Sequence, residues 1–269
     1  VGDAKLPIRL TVSYAFGVFG REFLRFVALL ILPLTCMTAI DLIRPVPLST
    51  HVILQPGLSA LWGWMLTLAI SLPATLVSAL LVTLFALPWL RHVQTGEGLP
   101  MLDAFFRWSP VHTKFWAGAL AVDVLGGVLR ALAAAILPVA IWGTMIADLL
   151  LLLVVVRFSL LFPSVAANGG FSPATSWQWS RGNGGYLFLT GLLILVPFVL
   201  LAIAVSIGQG SIADGFTESQ MFSLVAVGHL VNRLIFFAGL AVLGAASCRA
   251  YDVLGGDTPQ PSAPLPGSA

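Results

Sequence analysis

The sequence predicts an all-α polytopic membrane protein: six transmembrane helices joined with amphipathic interfacial helices. Three observations carry that expectation. The 269 residues are 58% hydrophobic and 9% charged, with a mean hydropathy of +0.99; a soluble domain carries roughly 25% charged residues and could not cover its surface with so few. Several apolar runs reach the length of about 20 residues that a bilayer core of about 30 Å demands of a helix. The basic residues are gathered at one side of those runs, as a cytoplasmic face requires.

The elements follow in order. Residues 6–21 are amphipathic, with Ile8, Val12, Phe16 and Phe19 at helical spacing and Arg9 and Arg21 among them, the pattern of a helix lying in the interface. The first span covers 23–43. Pro33 sits inside it, which a membrane helix tolerates because neighbours satisfy the freed carbonyl. The run lacks a small-residue cleavage site and reads as a retained helix. Pro45, Pro47 and Pro56 make an irregular loop. The second span, 59–89, is longer than a bilayer needs and must tilt or kink. Pro73 marks the kink and Pro88 the end. A polar loop with Arg91, His92, Glu97 and Asp103 follows.

The third span covers 115–137 and the fourth 141–163. The turn at Pro138 is too short for anything but an antiparallel hairpin. After Asn168, Gly169 and Gly170 comes a short amphipathic piece, 173–181, and then the fifth span, 186–207. A polar loop with Asp214 and Glu218 leads to the sixth span, 221–250. Residues 1–254 thus form a single transmembrane domain. The stretch 255–269 is Pro, Ser and Gly, and is expected to be disordered.

Lys5, Arg9, Arg21, Arg25, Arg91, Arg107, Lys114, Arg157, Arg181 and Arg249 fall on or near one side, and only Arg44 on the other. That asymmetry places both termini in the cytoplasm. The eight tryptophans cluster near the proposed helix ends, as interfacial belts do. Three segments on that side resemble one another: 13–23 (SYAFGVFGREF), 103–116 (DAFFRWSPVHTKFW) and 175–188 (TSWQWSRGNGGYLF). Each is a short aromatic stretch, a break beside a basic residue, and then an apolar span. A unit of interfacial helix plus hairpin used three times is one reading; a common style of pre-membrane segment is the other. Anionic headgroups should attract their arginines in either case.

Charges within spans are costly, at least about 2.5–3.5 kcal/mol each at the bilayer centre, so partners are expected. Asp123 and Arg130 lie in span three, Asp148 and Arg157 in span four, and Asn232 and Arg233 in span six. In a hairpin turning at Pro138, residues at equal depth have numbers that add to nearly one value. By that rule Asp123 matches Arg157, and Arg130 matches Asp148. Two interhelical ion pairs are the expectation, acting as glue; a polar path through the membrane is the alternative. Arg233 has no evident acid and is open to Asp148, a headgroup or a partner, while Asp41, near a helix end, is expected to be solvated.

No reactive constellation is present. The four histidines are scattered, and HExxH, Walker and GxSxG patterns are absent. His92 and His112 with Glu97 and Asp103 are too loosely spaced for a metal site. No cofactor, metal or catalytic residue is expected, and no basic block suggests nucleic acid. Cys36 and Cys248 form no disulfide framework. Gly126–Gly127 and Gly184–Gly185 suit close helix approach rather than phosphate binding.

The stretch RFSLLFPSVAANGGFSPATSWQWSRGNGGYLF, 157–188, carries Arg157, Ser159, Pro163, Ser176, Trp177, Arg181, Gly182 and Asn183. It resembles the signature of uncharacterised bacterial six-helix membrane proteins, similar to the membrane domain fused to some glycerophosphodiester phosphodiesterases. The phosphodiesterase barrel is absent, so the resemblance implies a bacterial inner-membrane location and lipid contact, and nothing catalytic. Physically the stretch reads as an interfacial junction. Ser172 before Pro173 suits a helix N-cap, Trp177 and Trp179 sit at headgroup depth, and Gly182 lets the chain turn. The functional expectation is a non-catalytic accessory or scaffold protein packing against lipid, a membrane partner or a second copy. The alternative is a transporter or lipid-handling protein using the intramembrane charges.

Overall fold

The computed structural model describes residues 5–43, 58–96, 108–136, 140–170, 172–213 and 218–255. The proline-rich loop with Arg44, the polar segment with Glu97, Asp103 and Arg107, the turn at Pro138, Asp214 and the Pro/Ser/Gly tail lie outside them. The described chain is all-helical: α1 (Ile8–Arg21), α2 (Phe23–Ile43), α3 (Leu58–Thr95), α4 (Pro110–Ile136), α5 (Ala140–Phe158), α6 (Leu161–Asn168), α7 (Pro173–Trp179), α8 (Gly184–Ala213) and α9 (Glu218–Gly255). Six stretches are long and apolar enough to cross a membrane: Phe23–Leu42, Leu72–Thr95, Pro110–Ala133, Ile146–Ala167, Gly184–Gln209 and Ser223–Gly255.

Prolines set the local irregularities, though not always where the sequence reading put them. Pro33, Pro73 and Pro197 lie inside helices. Pro88 does not end α3, which runs on to Thr95. The turn beyond it is held by burial of Trp89, Leu90 and His92. That packing outweighs the one backbone donor the proline removes. Pro163 does interrupt its span. It has no N–H for the carbonyl of Ser159, and the helix breaks there between α5 and α6. Ser159 turns its own hydroxyl back to the Val156 carbonyl at 2.8 Å. Pro110 opens α4 five residues earlier than the sequence reading placed it, in the first-turn position that proline favours.

The core is aromatic at its centre and small-residued at its seams. Phe26, Phe85, Trp89 and Phe237 are buried and meet edge-to-face, with Phe85 and Phe237 centroids 4.9 Å apart, a favoured arrangement for rings. The Trp89 indole N–H donates to the Ala241 carbonyl of α9 at 2.9 Å. Gly244 stands against Leu90, where an added Cβ would lie 3.1 Å from a methyl. Large aliphatics point outward, as at Leu24, which is 83% exposed, and along α8 at Leu200 and Ile203. In hydrocarbon this costs little, because lipid tails are as apolar as leucine and packing rather than apolarity selects the interface.

The same logic extends the reading of α1. Thr11, Ala15 and Val18 are its most buried positions, Val12 and Phe19 pack against the core beside them, Phe16 stacks on Phe198, and Leu10 faces outward. Small side chains at i, i+4 and i+7 let α1 lie close against α9 with α8 beside it. The Thr11 hydroxyl is satisfied by the Pro7 carbonyl at 3.0 Å. The helix is therefore docked on the bundle as well as amphipathic. Arg249 of α9 lies over the Tyr14 ring, 5.7 Å from its centroid. Burial, helped by Cys248 and Asp252, pushes the Tyr14 phenol above its ordinary pKa against the pull of Arg249 and Arg21, so it stays neutral.

The two described chain ends meet at one end of the bundle. The Leu6 N–H donates to Asn183 Oδ1 at 3.1 Å. Glu22 lies 3.1 Å from Arg25 and 3.2 Å from His92. Lys114 donates to the Gly169 carbonyl at 2.7 Å. Lys5, Arg9, Arg21, Arg25, Arg91, Lys114, Arg157, Arg181 and Arg249 all belong to this end.

Candidate functional site

Between α3, α4, α9 and the α5–α6 break lies a cavity of about 230 Å³. Its wall is almost wholly apolar, built by Trp89, Phe115, Val122, Phe236 and Leu240 among others, with Asp123 its single charged lining residue. Asp123 is the midpoint of α4 and is not packed away. Ser159 reaches the same wall from the Pro163-induced break. Val155, Ser159 and Phe162, on either side of the α5–α6 break, form one side of the void.

The structure separates Asp123 from Arg157, which the depth rule had paired. The matching of levels is sound: Val155 and Ser159 line the cavity with Asp123. The rotation is not. Residues two apart on a helix differ by roughly 200°, so Arg157 points away from the face that Val155 and Ser159 share. Its guanidinium instead lies over the Trp177 ring, 5.1 Å from the centroid, and donates to the Ser180 carbonyl at 3.3 Å. A cation–π contact and a carbonyl at the bundle end hold an arginine without a desolvated carboxylate. Among the described residues Asp123 has no ion-pair partner.

Arg130 and Asp148 do meet. Nε and Nη2 of Arg130 both reach Asp148 Oδ1 at 2.8 Å, joining α4 to α5 with side chains 41% and 53% exposed. Gly126, one turn earlier on α4, allows that approach, since a Cβ there would lie 2.9 Å from Leu151. Arg233 finds an acid the sequence reading missed. It donates to both oxygens of Asp41 across the α2–α9 contact, at 2.5 and 2.7 Å. Asp41 is 11% exposed, not solvated as expected. The same depth rule, applied to spans one and six from their shared end, brings Asp41 level with Arg233. What it lacked was knowledge that those two spans are neighbours. Beside this pair in sequence, Asn232 Oδ1 and Thr38 Oγ1 are buried and without hydrogen-bond partners among the described residues.

The charge balance of the inner spans follows. Away from the basic end, where Arg157 is held, the spans carry Asp41, Asp123 and Asp148 with Arg130 and Arg233. Both arginines are already bonded to other acids, although both lie within electrostatic range of Asp123. Asp123 is the one of these acids without an ion-pair partner among the described residues, and it lines the cavity.

The junction motif is a separate structure at the basic end. Ser172 caps α7 by accepting from the Thr175 N–H at 3.3 Å, with Pro173 in the first turn. Trp177 stays half exposed beneath Arg157, whereas Trp179 packs inward on Tyr251. Arg181 is exposed, and Gly182 turns the chain at φ +83, a conformation that glycine adopts without a steric cost. Gly184 leaves room for Arg157: an added Cβ would lie 2.6–2.8 Å from the guanidinium and displace it, while Gly185 has open space. His92 and His112 are apart in role, one beside Glu22 and the other accepting from the Ser109 N–H. No group of three metal-ligating side chains occurs among the described residues. Comparison with protein-family models, with curated proteins and with solved structures finds no match.

Proposed function

We propose that this chain is a non-catalytic, lipid-handling protein of a bacterial inner membrane that holds an amphiphile between its helices, with both termini cytoplasmic. The observation that carries it is the cavity: an apolar chamber at mid-span with one carboxylate and two hydroxyls on its wall. An apolar cavity of about 150 Å³ already takes benzene, so 230 Å³ admits a ring with a short chain. The basic end supports the orientation by the positive-inside rule.

Native mass spectrometry of the chain extracted in mild detergent tests the reading. A bound amphiphile is expected, and Ala119→Leu, which fills the chamber wall, should release it. Extraction free of any bound molecule, with Ala119→Leu indistinguishable from wild type, refutes it.

A scaffold role is the second reading, favoured by one observation. The Arg130–Asp148 pair is about half exposed on α4 and α5 at span level, where an uncovered ion pair would face hydrocarbon. A membrane partner or second copy of this chain seated there would shield it. Disulfide crosslinking from cysteines placed at Leu132 and Leu149 reports that contact.

A further inference from the structure

Of the arginines within the spans, Arg130 and Arg233 are each held by another acid and Arg157 is turned to Trp177 and the Ser180 carbonyl. Asp123 is left at the midpoint of an apolar helix, on the wall of an otherwise uncharged chamber. An ionised carboxylate in such a place requires a counter-charge, either a proton or a cation. The rest of the wall selects between cations. A small hydrated metal ion needs several oxygen ligands, and here one carboxylate and two serines, Ser159 and Ser247, are set among rings and branched aliphatics. The Ser159 hydroxyl is already turned to the Val156 carbonyl. An organic ammonium carrying an apolar body matches both features: the charge meets Asp123, and the body meets Phe115, Trp89 and Phe236. Aromatic faces add attraction for a quaternary ammonium head.

We propose that the chamber binds lipophilic organic cations, with Asp123 as their counter-ion. This rests on the amphiphile reading and names the class of its ligand. The seven-residue spacing that puts Arg130 on the Asp123 side of α4 then has a consequence. An anionic headgroup is drawn toward Arg130 and Arg233, which are already bonded to acids, while a cation is drawn to the one carboxylate that is not.

The test uses the full chain in uncharged detergent micelles at pH 8, with two probes of one shape. Benzyltrimethylammonium carries the charge, and neopentylbenzene is its neutral carbon isostere. Equilibrium dialysis should give one saturable benzyltrimethylammonium site per chain. Asp123→Asn should weaken it by about tenfold or more, the loss of a charge-assisted contact. Neopentylbenzene binding, read by the same dialysis against protein-free micelles, should be unchanged by Asp123→Asn. Ala119→Leu should abolish both probes, and size-exclusion profiles show that each variant stays folded. If neopentylbenzene binds and benzyltrimethylammonium does not, Asp123 is simply protonated and the cation inference falls while the amphiphile reading stands. Equal cation binding by wild type and Asp123→Asn also overturns the inference. If neither probe enters, both readings fall together.

Discussion

Removing Arg233 should be among the most damaging single changes in this protein. Its guanidinium makes two hydrogen bonds to Asp41, which is 11% exposed. Arg233→Met strands that carboxylate in the buried seam between α2 and α9. Breaking a buried pair from one side costs about 3–5 kcal/mol. Arg233 itself is 28% exposed, and interhelical polar contacts in membranes average only about 0.6 kcal/mol, so about 2–3 kcal/mol is the expectation. Asp41→Leu alone strands the arginine instead, which can relax toward the surface, and should cost less. The double variant Asp41→Leu with Arg233→Met removes both charges and should return to within about 1 kcal/mol of wild type, as apolar replacement of whole ion pairs often does. The assay is reversible unfolding in mixed micelles, read by tryptophan fluorescence for all four proteins. A coupling energy below about 0.5 kcal/mol, the level of independent sites, would refute the claim that the two groups act as one unit.

Two further changes probe the α4–α5 contact and the junction. Arg130→Asp should lower membrane accumulation of a fluorescent fusion several-fold, because it opposes Asp148 and sits on the Asp123 side of α4; adding Asp148→Arg should restore most of it, and no recovery would argue against direct pairing. Gly184→Ala pushes the Arg157 guanidinium off Trp177 and the Ser180 carbonyl and should cost about 1 kcal/mol in the same unfolding assay. Gly185→Ala meets open space and should stay within about 0.5 kcal/mol. Equal effects at the two positions would remove the proposed reason for Gly184.

Much of the architecture was legible because a bilayer leaves so few solutions. Every backbone polar group must be satisfied within the chain, so apolar runs of sufficient length read directly as helices. Even Gly182 and the Ser172 cap were visible, since turn and cap chemistry is local. Legibility failed where a choice depended on neighbours. Periodicity located the amphipathic α1, whose Val12 and Phe19 pack on the core, but did not show that its most buried positions are Thr11, Ala15 and Val18, because close approach of helices in lipid favours small side chains. Pro88 looked like a stop because a proline removes one donor, and only the burial of Trp89 and Leu90 shows why α3 continues.

The candidate site divides the same way. Residue numbers fix depth, because rise per residue is constant along a helix, and depth alone put Arg130 level with Asp148. Rotation and adjacency are set by how six spans pack, and no single-span pattern encodes them. They turned Arg157 onto Trp177, gave Arg233 to Asp41, and left Asp123 facing a chamber beside the break before Pro163. The sequence by itself thus determined which residues carry charge into the membrane and how deep; the tertiary structure decided which of them neutralise one another and which one remains to attract something else.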